Sequence, residues 1–191
     1  MIGARFDEVL QAAQEGSEQA AATLWRDLQP ALLRYARAGD PGAAEDVTSE
    51  VWLEAARSLR SFRGGETDFR AWMFTIARHR LIDHRRKLSR RRDAPAPWVP
   101  ERAADQDPEA DALTSLSTAG AVALLRELPP AQAEAVLLRV VADLDTAEVA
   151  RIMGRRPGAV RVLQHRGLRT LAVRLAADGA SARSVGAARP R

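Results

Sequence analysis

Cations and aromatic rings, rather than nucleophiles or metal ligands, carry the chemistry of this sequence. The run FRAWMFTIARHRLIDHRRK, from Phe69 to Lys87, leads into a tract in which six of the eight residues from Arg85 to Arg92 are Arg or Lys. Guanidinium groups at that density suit phosphate oxygens, and rings set among them suit bases taken out of a stack. A second basic segment, LDTAEVARIMGRRPGAVRVLQHRGLRTLA from Leu144 to Ala172, groups Arg155, Arg156, Arg161, His165, Arg166 and Arg169 after Gly154. His79, His84 and His165 lack the grouping of metal ligands, and no nucleophile stands at a recognisable spacing from a base. Without Cys there is no disulfide and no thiolate metal site. The pattern points to polyanion binding, with no cofactor, no metal and no catalysis.

The distribution of charge supports this. The net charge of +4 hides blocks of −5 (residues 1–59), +8 (60–92), −5 (93–111), −3 (112–150) and +9 (151–191). Two basic blocks kept apart by acidic ones are the footprint of a polyanion gripped at two places, with acidic surfaces left for basic protein partners. A merely solvated face would explain one block; two, each on a readable motif, favour binding. No apolar run reaches the about 18 residues of a membrane span, and MIGARFDEVLQ has no signal-peptide pattern, so a soluble cytoplasmic protein is expected.

The elements that must position these groups read as helices. A first is expected from Phe6 to Gln14, and a second from the N-cap Ser17 toward Arg37, with Leu24, Leu28 and Leu32 on one face and Pro30 placed to kink or divide it. Asp40-Pro41 reads as an N-cap with proline at the first helical position, opening a helix through Val47, Val51 and Ala55 to Leu59. Its other face carries Glu45, Asp46, Glu50 and Glu54. Ser61 to Asp68 is a glycine-containing loop in which Thr67 or Asp68 can cap the next helix. There Phe69, Trp72, Met73 and Ile76 follow the i, i+3, i+4, i+7 rule, while Arg70, Thr75, Arg78 and His79 point elsewhere.

From Asp93 to Pro108 four prolines and excess acid mark a linker. Helical patterning resumes at Glu109 with Leu113, Leu116, Leu124 and Leu128. After Pro129-Pro130 a short helix from Ala131 to Ala142 carries a stripe of Val136, Leu137, Val140 and Val141. The Leu144–Ala172 segment then reads as a helix-turn-helix. Asp145 and Glu148 form a capping-box pair, Gly154 makes the turn, and Pro157 opens a second helix packed through Val160, Leu163, Gly167 or Leu168, and Leu171. Small Gly158 and Ala159 at its start permit close approach to a major groove. The expected fold is all-α: a helical domain over residues 1–92, an acidic Pro-rich linker over 93–108, a helix-turn-helix domain over 109–177 and a disordered tail over 178–191.

In this order the pieces resemble an extracytoplasmic-function (ECF) sigma factor of bacterial RNA polymerase, over residues 20–175. AEDVTSEVWLEA is similar to the family's core-polymerase-binding helix, SFRG and FRAWMFTIARHRLIDHRR to its promoter-melting segment, and LRELPPAQAEAVLLRVV with the helix-turn-helix to its C-terminal domain. The resemblance implies a protein that joins core RNA polymerase, directs it to promoters through −10 and −35 elements and opens the duplex. It implies that Asp46, Glu50 and Glu54 meet the polymerase. It implies that Arg63, Gly64, Phe69, Arg70, Arg78, His79, Asp83 and Arg86 bind and melt the −10 element. Arg155, Arg156, Gly158, Ala159, Arg161, His165 and Arg166 would bind the −35 element, and the acidic linker would enter the polymerase cleft. Core RNA polymerase, promoter DNA and an anti-sigma factor are the implied partners. A conventional helix-turn-helix regulator leaves Phe69–Arg92 unexplained, and a nucleic-acid-processing enzyme needs a catalytic constellation that is not found.

Overall fold

The structure, a computed structural model, describes residues 1–92 and 123–186. The expected linker, Leu113 and Leu116, and residues 187–191 lie outside the described residues. Among those described there are helices and no strand.

Helix α1 spans Phe6–Gln14 and α2 spans Glu18–Gly39. Ser17 caps α2 by accepting the Ala20 N–H at 3.3 Å, which satisfies one orphan donor of the first turn. Leu24, Leu28 and Leu32 are buried as one stripe, and α2 runs through Pro30 as a single element. Asp40-Pro41 behaves differently from the expected cap. Proline's fixed φ suits a 3-10 turn as well as an α-helix, and Pro41–Ala43 forms that turn before α3 begins at Ala44. Asp40 makes no side-chain capping bond and instead lies 3.7 Å from His84 Nε2.

Helix α3 spans Ala44–Ser58, with Val47, Val51 and Ala55 buried. The chain then turns through Leu59–Ser61, where the Gln14 amide donates to the carbonyls of Leu59 and Phe62, both at 2.9 Å. Helix α4 spans Glu66–Arg92, starting ahead of the expected Thr67 or Asp68 cap. Asp68 lies inside the first turn and reaches back to accept the Gly65 N–H at 3.1 Å, one half of a capping box. Gly64 is required there, since its φ is 144° and an added Cβ would stand 2.7 Å from that of Asp68.

Helix α4 buries more than one stripe. Phe69, Met73 and Ile76 are covered as expected, but so are Ala71, Phe74, Ala77 and Leu81. Arg70, expected to point away from the core, is only 6% exposed. Helices α2 and α3 pack on α4 and the C-terminal half approaches it as well, so the helix is enclosed over most of its first four turns.

In the C-terminal half, α5 spans Pro130–Val140, α6 Thr146–Met153 and α7 Pro157–Gly186. Helix α5 buries Ala135, Val136, Leu137 and Leu138, whereas Val140 is turned outward, contrary to the expected stripe, because Ala135 and Leu138 take the inner face. Helix α7 continues past Asp178, so residues 178–186 of the expected tail follow its backbone. Gly167 is buried where α7 crosses α5; a Cβ there would meet Val136 Cγ2 at 2.9 Å and the Gln132 carbonyl at 3.4 Å. Leu168 is exposed, which settles the choice between the two. Gly167→Leu should therefore destabilise the protein by about 1–3 kcal/mol through overpacking. Leu168→Ala should stay within about 0.5 kcal/mol. Thermal melting of both variants checks the pair.

Candidate nucleic-acid interface

The second basic surface is built by a rigid corner. At the start of α6, Asp145 Oδ1 accepts the Glu148 N–H at 2.8 Å while Glu148 Oε2 accepts the Asp145 N–H at 3.1 Å, a complete capping box. Burial pushes the Glu148 carboxyl above its ordinary value, the cost of holding that acceptor inside. Gly154 ends α6 in the left-handed region at φ 62°, and the Arg155 N–H closes on the Ala150 carbonyl at 2.9 Å. The chain is thereby aimed into Pro157 and α7, whose Val160 is fully buried. Arg155, Arg156, Gly158, Ala159, Arg161, His165 and Arg166 are all exposed around the first turns of α7, together with Arg169. Among the described residues none of these cations has a carboxylate partner, in contrast to Arg151 with Glu148 and Arg174 with Glu127. Exposed, unneutralised guanidinium groups flanking two small residues can follow a phosphate backbone and reach into a groove.

The first basic surface is less uniform. Arg63 lies exposed in the loop before α4, its guanidinium donating to the carbonyls of Arg60 and Phe62. Gly64 follows it. Phe69, expected to serve a melted base, is 3% exposed and its ring packs 5.7 Å from Phe6, 5.5 Å from Phe62 and 5.7 Å from Trp72. It has no free face for a base and instead supports the loop. Phe62, absent from the expected set, is only partly buried and stacks on Trp72 at 5.0 Å, so the aromatic pair at the loop's edge is Phe62 and Trp72. Arg70 is withdrawn into the interior, bonding Asp27 of α2 at 3.0 Å and the Ala142 carbonyl at 3.1 Å, because a buried guanidinium must be paired. Arg78 is half-buried against Glu134, whereas His79, Asp83 and Arg86 are exposed along the outer half of α4. Asp83 and Arg86 lie 3.7 Å apart on neighbouring turns. The structure thus brings Arg63 and Gly64 together at one end and His79, Asp83 and Arg86 at the other.

Asp46 and Glu50 are exposed on α3 and Glu54 is half-exposed. Arg80 of α4 was not among the expected site residues, yet it donates to Glu54 at 2.8 Å and lies 3.6 Å from Glu50. The Glu54 hydrogen bond holds the Arg80 guanidinium above its ordinary pKa. Helical spacing alone could have placed Arg80 on a turn adjacent to Asp83 and His84, but not against α3. Asp46 is left as the acid of this face without a bridging cation among the described residues.

Residues 24–91 match the family described as Sigma-70 region 2, and residues 121–171 match Sigma-70, region 4. The ECF RNA polymerase sigma factor BldN of Streptomyces coelicolor is 38% identical over 180 residues, covering 93% of this chain and 68% of the relative. The ECF RNA polymerase sigma factor SigD of Mycobacterium tuberculosis is 36% identical over 186 residues, covering 94% and 88%. A solved structure of CnrH in complex with the cytosolic domain of CnrY has a TM-score of 0.63 at 22% identity, covering 91% of this chain and 99% of that one, and shares the fold. The chain belongs to the ECF RNA polymerase sigma factors. It joins core RNA polymerase and confers promoter-specific initiation; the chemistry of transcription is the polymerase's, and the chain is not an enzyme. Among the described residues no helix is long and apolar enough to cross a membrane.

Since the α7 surface depends on the corner before it, Asp145→Ala should cost about 1 kcal/mol of stability through loss of the cap. Asp145→Asn, which keeps an acceptor, should recover most of it in a thermal melt.

Proposed function

We propose that the two basic surfaces divide promoter recognition between them: α7 reads the −35 element, and the loop before α4 with the outer half of α4 reads and opens the −10 element. The observation that carries this is the exposed array of Arg155, Arg156, Arg161, His165 and Arg166 around Gly158 and Ala159, without carboxylate partners among the described residues. On this reading residues 1–92 are the −10 domain, 93–108 the linker that enters the polymerase cleft, and 109–177 the −35 domain, whose last helix runs on to Gly186.

Opening a duplex requires something to offset a few kcal/mol of lost stacking per extruded base. The Arg63–Gly64 loop, backed by the Phe6, Phe62, Phe69 and Trp72 rings, offers a rigid support for a displaced base. In this role Phe69 holds the loop from behind, and His79, Asp83 and Arg86 contact the adjacent strand or duplex. Asp46, with Glu50 and Glu54 ordered by Arg80, meets a basic surface of the polymerase. An anti-sigma factor is a further partner on this reading, as NepR is for the sigma factor RpoE of Bartonella quintana. The place of action is the cytoplasm, where the polymerase is.

Loss of a base-reading Arg161 or Arg166 should cost about 1–3 kcal/mol and relax specificity at one −35 position. Loss of a phosphate contact should weaken all sequences alike. Run-off transcription from −35 variants with Arg161→Ala and Arg166→Ala separates the two, and full activity of both would remove α7 from the promoter. Arg63→Ala should reduce transcription from duplex templates more than from templates already unpaired across the −10 element. Equal loss on both would make Arg63 a general contact.

A further inference from the structure

The loop before α4 is held from outside by the first helix of the chain. Gln14, the last residue of α1, is half-buried, and its Nε2 donates to the carbonyls of Leu59 and Phe62, 45 and 48 residues further on, both at 2.9 Å. These carbonyls lie where α3 and the 3-10 turn after it run out, and a helix end leaves its last carbonyls without donors of its own. One amide nitrogen carries two hydrogens, so a single Gln serves both. Each acceptor also takes a second bond: the Phe62 N–H donates to the Leu59 carbonyl at 3.1 Å, and the Arg63 guanidinium donates to the Phe62 carbonyl at 2.6 Å. The Phe62 oxygen is thus shared by Gln14 and Arg63.

The far side of the loop is tied to the same segment. Glu66, the first residue of α4, accepts the Ile2 N–H at 2.6 Å and the Gly3 N–H at 2.9 Å, one on each carboxylate oxygen. Phe6 of α1 packs its ring 5.7 Å from that of Phe69 behind the loop. Residues 2–14 therefore bracket the loop, although they precede the residues 24–91 that match Sigma-70 region 2. Arg63 is exposed and its guanidinium rests on the Arg60 and Phe62 carbonyls, so its position follows that of the Phe62 carbonyl. We propose that Gln14 is a positioning residue for promoter opening: by fixing the Phe62 carbonyl it sets where Arg63 presents its guanidinium to an extruded base and the phosphate beside it. The proposal rests on the reading of the Arg63–Gly64 loop as the opening element. With the Gln14 donors gone the loop keeps its aromatic backing, but Arg63 has to be ordered at the moment of opening instead of before it.

Gln14→Met keeps the length and apolar stem of the side chain and removes both donors. In the full chain with purified core RNA polymerase, it should lower run-off transcription from duplex templates about threefold to tenfold, the scale of one net hydrogen bond, and leave templates unpaired across the −10 element close to the parent. Gln14→Glu, the same shape with an oxygen in place of the donor, should behave alike, so a loss of folding in one variant, read by thermal melting, leaves the other to decide. Gln11→Met, the same change on α1 where the amide bonds Glu15 at the surface, is the control and should match the parent on both templates. Arg63→Ala should show the template dependence of Gln14→Met. The double variant should be no weaker than Arg63→Ala alone, because a residue that acts through Arg63 then has nothing left to position. A merely structural Gln14 would lower both templates alike, or add its loss to that of Arg63→Ala, and either result would overturn the proposal. So would parental activity of Gln14→Met on duplex templates while Arg63→Ala is impaired there, with the reading of the loop left standing. Arg63→Ala at parental activity on duplex, or equally impaired on both templates, would overturn the loop reading itself and the positioning role with it.

Discussion

A guanidinium cannot sit in a protein interior without partners, and Arg70 is 6% exposed. Its two bonds decide how the molecule is put together. Asp27 ties α4 to α2 within the N-terminal half, and the Ala142 carbonyl ties α4 to the turn after α5. Removing one member of such a pair costs about 3–5 kcal/mol in a fully buried setting, and less here because Asp27 keeps 18% of its exposure. Around that fixed point α4 buries Phe69, Met73, Phe74, Ala77 and Leu81, which holds its outer cations in register with the loop at Arg63 and Gly64. The same helix is therefore both the core of the N-terminal half and the carrier of its basic surface.

This dual duty explains which parts of the fold could be read from the sequence. Leu24, Leu28 and Leu32, Val47, Val51 and Ala55, and the Asp145–Glu148 box were legible because helix period and cap chemistry are local. The second buried face of α4 was not, because a template for one stripe captures Phe69, Met73 and Ile76 and leaves Phe74, Ala77 and Leu81 unassigned. Arg70 reads as exposed on any scale that ranks residues by polarity, and its partner stands 43 residues earlier on another helix. Gly167 has no side chain for a hydrophobic pattern to find, yet it permits the crossing of α5 and α7.

The site divides in the same way. The cations around the start of α7 were legible as charge next to a helix-turn-helix, and the structure leaves them exposed together. The set on α4 and the loop before it is mixed because its residues carry two kinds of information at once. A ring such as Phe69 satisfies both the core pattern and the base-stacking pattern, and only packing against Phe6, Phe62 and Trp72 separates them. Arg80 between Glu50 and Glu54, and Arg78 against Glu134, arise from side chains meeting across elements. No local spacing encodes those meetings.

The most direct measurement is in vitro transcription of fragmented genomic DNA by purified core RNA polymerase with and without this chain, with every RNA 5′ end mapped. A chain that confers promoter-specific initiation through two separated readers should produce discrete 5′ ends absent with core alone. The DNA upstream of those ends should share two sequence blocks at a constant separation, near −10 and −35. A set of 5′ ends indistinguishable from that of core polymerase alone would contradict the account.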